Sequence, residues 1–390
     1  MEGLEDTFKT LSIALRLQPS EPTYVLDVAQ QPGTSSSTGL GSGLLAVSCS
    51  NRAIRLHSKD TLKLQREFQG HAGAVCGVRF AHSSPGLLYS GSADGTLRCW
   101  DVRAPGSDAV QTYRVDPGHS FCSFDLSCGD LLLCAGTEQA GEDSFLVFWD
   151  ARMAKQGTVL GVYSESHSDD VTQVRFHPQA PDRLATGGSD GLVNVFDLSL
   201  GPEEEALLST CNCGSSAATV CWAGKDFDQL LCLSHDESLH LWDVARPDSD
   251  DPLTLLTATD ARSLVSLPDG TSLDYFVGGA WIEEPGKLLV VGGTSRGELH
   301  LLDCSGDGLS LVKSLKGGHS AVVRCFLWQP AGGGLLTGGE DGLLLQWKPG
   351  AEELESGKRV TLKSTSAMQL KSRSHRKHGT KRDKKQEVSH

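Results

Sequence analysis

Apolar and polar residues alternate with period two in short runs along most of this chain, and Gly, Asp and Ser break the runs. One group reads Val75–Phe80, Leu87–Ser90 and Thr96–Trp100, with the turn Asp94-Gly95 before the last run. The same order returns as Val171–Phe176, Leu184–Thr186, Asp190-Gly191 and Val193–Phe196. It returns again as Val322–Phe326, Leu335–Thr337, Asp341-Gly342 and Leu343–Trp347. Where intact, the unit closes on Trp-Asp, at Trp100-Asp101, Trp149-Asp150 and Trp242-Asp243. Weaker echoes stand at Phe196-Asp197, Leu302-Asp303, Trp347 and His57. Successive closures lie 43, 49, 47, 46, 60 and 45 residues apart. Seven copies of one strand-rich unit at such a period predict an all-β, seven-bladed propeller.

A further extended run follows each of the first six closures: Leu62–Phe68, Val110–Tyr113, Val159–Tyr163, Ala206–Thr210, Leu253–Leu256 and Leu309–Leu315. These are the expected outer strands. After Trp347, Lys348-Pro349-Gly350 breaks the chain and no such run follows. A spare run, Phe8–Leu17, stands at the other terminus, and it is expected to pair onto the last blade and close the ring. The first inner strand is then Thr23–Val28, followed by a Gly/Ser-rich loop at Gln31–Gly43. The expected blades cover about 22–68, 70–114, 117–163, 166–210, 215–256, 273–316, and 318–348 with 8–17. Residues 1–350 form the propeller and 351–390 a tail.

Composition fits one large all-β domain: 22% charged, 38% hydrophobic, and 44 Gly for many turns. No run approaches the length of a membrane span, so no membrane association is expected. The N-terminal MEGLEDTFKT is acidic and lacks the apolar core of a signal peptide. The 12 Cys fall mostly in strands without framework spacing, as free thiols in a reducing compartment would. Cys211 and Cys213 have no second pair or His cluster to complete a zinc site, and no metal or cofactor is expected.

Charge is unevenly placed. Residues 351–390 carry 11 Lys/Arg and 5 Asp/Glu, whereas the whole chain has 35 and 49. An acidic ring therefore carries a basic tail. The tail has too few apolar residues to build a core and is expected to be disordered. Its densest clusters contain Lys371, Arg373, Arg376 and Lys377, then Lys381, Arg382, Lys384 and Lys385. Two basic clusters with a short spacer favour nuclear import, with the cytoplasm as the other location. A solubilising end, or nucleic-acid contact confined to the tail, are the other readings.

Gly70-His71, Asp94-Gly95 and Trp100-Asp101, with their counterparts Gly318-His319, Asp341-Gly342 and Trp347, resemble the WD-repeat family over roughly residues 7 to 348. The stretches Tyr163–Pro178, Phe148–Met153, Gly188–Asp197 and Gly338–Gly350 share the likeness. The resemblance implies a buried chain of hydrogen bonds within a blade, from Trp to hydroxyl to His to Asp. By match, His71, Ser90, Asp94 and Trp100 complete it in blade 2, and His319, Thr337, Asp341 and Trp347 in blade 7. Blade 4 keeps His167, Thr186 and Asp190 but has Phe196; blade 3 keeps His119 and Trp149 with Cys134 at the hydroxyl position. A buried indole N–H needs such a partner, so a structural role is expected for these groups, and not catalysis.

Function is expected to lie in protein–protein contacts, within a larger complex in which the propeller itself is monomeric. Loops before inner strands and between second and third strands gather on one rim, where Asp169, Asp170, His235 and Glu340 are candidate contacts for basic segments of partners. Trp100-Asp101-Val102-Arg103 and Trp149-Asp150-Ala151-Arg152 resemble the box with which WD-repeat substrate receptors dock on the adaptor of cullin-4 ubiquitin ligases. On that alternative reading Arg103 and Arg152 are the adaptor contacts. No phosphate-binding loop, nucleophile elbow, HExxH or EF-hand loop is present, so no enzyme is expected.

Overall fold

The alternating runs become strands, and each repeat becomes a four-stranded antiparallel sheet, seven in all, arranged as a propeller. The protein is described by a computed structural model covering residues 3–352 other than 19, 20, 22, 34–42, 116, 117, 153–157, 246–251 and 331. Blade 2 runs from the axis outward as Val75–Phe80, Leu87–Ser92, Thr96–Asp101 and Gln111–Arg114. Burial is lowest at the periphery. The second strands Leu87–Ser92 and Leu132–Thr137 are buried after their first residue, because neighbouring blades cover both faces. The outer strand Leu253–Ala258 is mostly exposed or half-buried.

Neighbouring blades meet through interlocking side chains. Between blades 2 and 3, Tyr89, Leu97, Cys99 and Tyr113 face Phe121, Phe124, Leu133 and Trp149 in one buried cluster. Gly91 makes room for this contact, since a Cβ there would lie 2.6 Å from the Phe124 ring. Gly338 does the same for Val25, where blade 7 meets blade 1. The turn Asp94-Gly95 needs its glycine for another reason, a φ of +74° that a side chain strains.

Ring closure is by the N-terminal strand. Leu11–Leu17 pairs antiparallel with Leu344–Pro349, Leu11 opposite Pro349 and Leu17 opposite Leu344. The strand is shorter than Phe8–Leu17, because residues Leu4–Phe8 form a helical turn. That turn is a clamp: Leu4 and Phe8 are buried, and the Phe8 ring meets the edge of Trp328 at 5.3 Å. A glutamine ladder also crosses the seam: Gln346 Nε2 donates to Gln329 Oε1 at 3.0 Å, and Gln329 Nε2 to Gln30 Oε1 at 2.7 Å.

The long 60-residue interval before Leu302 contains a plug. Residues Ala261–Leu264 form a 3-10 turn, and Val265, Leu267 and Leu273 are buried against blades 5 and 6. Leu273 sits over Gly292, where a Cβ would meet it at 2.9 Å. Blade 6 therefore fills with hydrocarbon the place where blades 2 and 7 hold a hydroxyl.

Candidate functional site

The hydrogen-bonded sets tie inner strands to turns within their blades. In blade 2 the Trp100 indole N–H donates to Ser90 Oγ at 2.8 Å. Ser90 Oγ lies 2.7 Å from His71 Nε2, and His71 Nδ1 lies 3.0 Å from Asp94 Oδ2. Blade 7 repeats this with Trp347 to Thr337 at 2.9 Å, Thr337 to His319 at 2.8 Å and His319 to Asp341 at 3.0 Å. In blade 4, His167 lies 2.8 Å from Thr186 Oγ1 and 3.1 Å from Asp190 Oδ2. Phe196 offers no N–H there, and Asn194 Nδ2 approaches His167 instead, at 3.4 Å. Burial works to raise the Asp94 carboxyl. Hydrogen bonds from His71, Thr96 and the Ala72 N–H outweigh it and hold the group well below the ordinary carboxylate range. Asp190 and Asp341 are lowered in the same way, through His167 and His319, against burial.

Blade 3 corrects one sequence expectation. Leu88 pairs with Trp100 in blade 2, and Leu133 pairs with Trp149 in blade 3, so the counterpart of Ser90 is Ala135 and not Cys134. A methyl group cannot accept a hydrogen bond, and the buried Trp149 Nε1 has no partner among the described residues. His119 instead packs against Phe145, ring centres 5.0 Å apart. Blade 5 substitutes both inner members of the set. Cys213 stands four residues before Ala217, as His71 stands before Val75, and Cys232 takes the hydroxyl position. All 12 cysteines are free thiols, and no metal-holding cluster occurs among the described residues.

Inner strands line an axial channel of about 770 Å³. Sequence reasoning passed over its main feature. Arg79 Nη1 lies 2.8 Å from Asp27 Oδ2, and Arg79 Nε lies 3.3 Å from Asp125 Oδ1. Each carboxylate also reaches the next blade, Asp27 accepting from the Val78 N–H at 3.0 Å and Asp125 from the Phe176 N–H at 2.8 Å. Blades 1 to 4 are thereby stitched at the axis. The signal was available, since Asp27, Arg79 and Asp125 are charged residues inside otherwise apolar inner strands.

On the rim, acids of blades 3 and 4 adjoin. Asp170 Oδ1 accepts from the Gln139 N–H at 2.7 Å, and Gln139 Nε2 donates to the Ser168 carbonyl at 2.8 Å. Burial, then the nearby charges of Asp170 and Glu138, push the Cys122 thiol at the channel wall up to about 12. Asp170 is thus also a structural acceptor. Asp169 and Glu138 take part in no ion pair among the described residues. Glu340 accepts from Arg324 Nε at 2.8 Å, and the exposed His235 lies 3.1 Å from Ser216 Oγ. These two belong to blades 7 and 5, so the four rim residues form no single cluster.

The arginines of the Trp-Asp-x-Arg pairs are exposed, but each guanidinium is held by its own motif. Arg103 binds both Asp101 oxygens, at 3.0 and 3.2 Å, and Arg152 both Asp150 oxygens, at 2.9 and 2.8 Å. One edge of each guanidinium, Nε with Nη2, is thus already engaged. The basic clusters between Lys371 and Lys385 lie outside the described residues, as do residues 34–42 of the Gly/Ser-rich loop. No helix among the described residues is long and apolar enough to cross a membrane.

The family profile described as "WD domain, G-beta repeat" matches residues 62–101, 157–197 and 309–348. The chain is 34% identical over 330 residues to the WD repeat-containing protein GTS1 of Arabidopsis thaliana, covering 80% of this chain and 79% of that one. It is 27% identical over 324 residues to the WD repeat-containing protein 89 homolog of Dictyostelium discoideum, covering 83% and 82%. A chain in the crystal structure of the mitotic checkpoint complex superposes with a TM-score of 0.62 at 17% identity, over 85% of this chain and 94% of that one. This last likeness concerns the fold alone.

Proposed function

This chain belongs to the WD-repeat family, and from that premise we propose that it is a non-catalytic scaffold whose blade 3 and blade 4 loops grip basic segments of partner proteins. The carrying observation is the pairing of two loops: Asp170 holds the Gln139 backbone, leaving Asp169 and Glu138 on adjoining loops without ion-pair partners among the described residues. Carboxylates carried on loops whose backbones are tied together steer the approach of a cation. The adaptor-docking reading gains less from the geometry, because Arg103 and Arg152 are bidentate to their own aspartates.

Reversal of Glu138 and Asp169 to Lys is the expected disruptive change, since neither side chain bridges the two loops as Asp170 does; Asp169 accepts only from the N–H of its neighbour Asp170, at 2.7 Å. In affinity purification of the full chain, this double variant should lose its partners by about tenfold or more, roughly 1.4 kcal/mol. Wild-type capture should weaken as salt rises, exposed charges being screened over about 8 Å at physiological ionic strength. An unchanged partner set, with an unchanged circular dichroism spectrum, would count against this rim.

The complex is proposed to be nuclear, on the strength of the two basic clusters at Lys371–Lys377 and Lys381–Lys385. A cytoplasmic reporter carrying residues 361–390 should then enter the nucleus. If it stays outside while the full protein is nuclear, the tail is not the signal.

A further inference from the structure

Three arginines line the axial channel, and they differ in one respect. Arg79 lies between Asp27 and Asp125, and Arg324 is held by Glu340. Arg175 has no carboxylate within ion-pair distance among the described residues; its Nη1 donates to the Val174 carbonyl at 2.8 Å. Its neighbour in the next blade, Asp125, has one oxygen on Arg79 and the other on the Phe176 N–H. The other donors of Arg175 have no hydrogen-bond partner among the described residues, and the residue lines the channel. Burial, and then the positive charge of Arg79, disfavour the charged form of Arg175, and the more distant carboxylates of Asp125 and Asp27 offset this only in part. An anion from outside would relieve both effects, because a guanidinium out of bulk water is stabilised mainly by a bidentate oxyanion.

The surroundings suit a small ligand. The channel volume of about 770 Å³ lies in the range of small-molecule sites, and Phe124, Trp281 and Phe326 supply apolar walls. Arg175 lies on the inner strand Gln173–Phe176, which the loop carrying Asp169 and Asp170 leads into. The acidic loops thus guard one mouth of the channel, and an anion would enter by the other.

We propose that the axial channel is a binding site for a small organic anion, whose phosphate or carboxylate group is received by Arg175. This site is separate from the rim that is proposed to grip basic segments.

Thermal denaturation of the full chain with inorganic phosphate, with citrate, and with chloride at matched ionic strength tests the proposal. Phosphate or citrate should raise the melting temperature saturably, chloride should not, and the more effective of the two identifies the preferred group. Arg175→Met should remove the shift, whereas Arg296→Met, which alters an exposed arginine outside the channel, should keep it. If Arg175→Met does not fold, Arg175→Lys serves: a point charge in place of the fork should weaken the apparent affinity by about tenfold. No saturable shift with either anion, or an undiminished shift in the Arg175 variants, would overturn the assignment.

Discussion

Removal of residues 1–18 is expected to leave a protein that aggregates or melts far below the intact chain. The deletion takes away the strand Leu11–Leu17 and with it the partner on the outer side of Leu344–Pro349, leaving only the pairing with Gly334–Gly339. It also takes away four buried side chains, Leu4, Phe8, Leu11 and Ile13. At about 1.5–3 kcal/mol for each buried side chain of this size, the loss is comparable with the whole net stability of about 5–15 kcal/mol of an ordinary domain. Blade 7 would then present a bare strand edge, a template for pairing with other chains. Light scattering with thermal denaturation reads both effects. A truncated protein that stays monomeric and melts where the intact one does would mean that the ring does not depend on this seam.

The clamp and the strand can be told apart. Phe8→Ala leaves the ladder between Leu11–Leu17 and Leu344–Pro349 in place but opens a cavity under Trp328. Its cost belongs to the about 3–5 kcal/mol class of buried aromatic truncations. The deletion should exceed it, because it adds the lost ladder and the exposed edge.

Much of this architecture was legible from spacing. The Trp-Asp closures set the blade count, and the break at Lys348-Pro349-Gly350 pointed to the N-terminal strand. Other features escaped for physical reasons. Assigning Cys134 instead of Ala135 to the hydroxyl position was a slip of one residue, and in a strand one residue changes the face. The expected strand Phe8–Leu17 began three residues early, because apolar Phe8 ends the helical turn Leu4–Phe8 and stands in line with the alternation of Leu11–Leu17. The engagement of Arg103 with Asp101 depends on side-chain direction, to which a four-residue pattern is blind. Asp27, Arg79 and Asp125 were visible as charges in apolar strands, but their meeting across three blades needed the ring to be closed. The 60-residue interval did carry information, since the plug that lengthens it also replaces the hydrogen-bonded set of blade 6.

The hydroxyl position predicts opposite outcomes in two blades. Ser90→Ala in blade 2 should destabilise, because it leaves the Trp100 N–H and His71 Nε2 buried without their partner. Each orphaned group costs about 1–3 kcal/mol. Trp100→Ala should cost about 3–5 kcal/mol, since it removes the ring that Phe68 and His71 pack against. In blade 3 the polar group is already orphaned: Trp149 Nε1 is buried, and Ala135 stands where Ser90 stands in blade 2. Ala135→Ser adds one oxygen at that place and should stabilise, by about 1 kcal/mol, the net worth of a typical hydrogen bond. The gain is smaller than the loss in blade 2 because His119 packs on Phe145 and does not complete the chain. Chemical denaturation of the three variants gives the comparison. Equal destabilisation by Ser90→Ala and Ala135→Ser would show that volume, and not the hydrogen bond to the indole, governs this position.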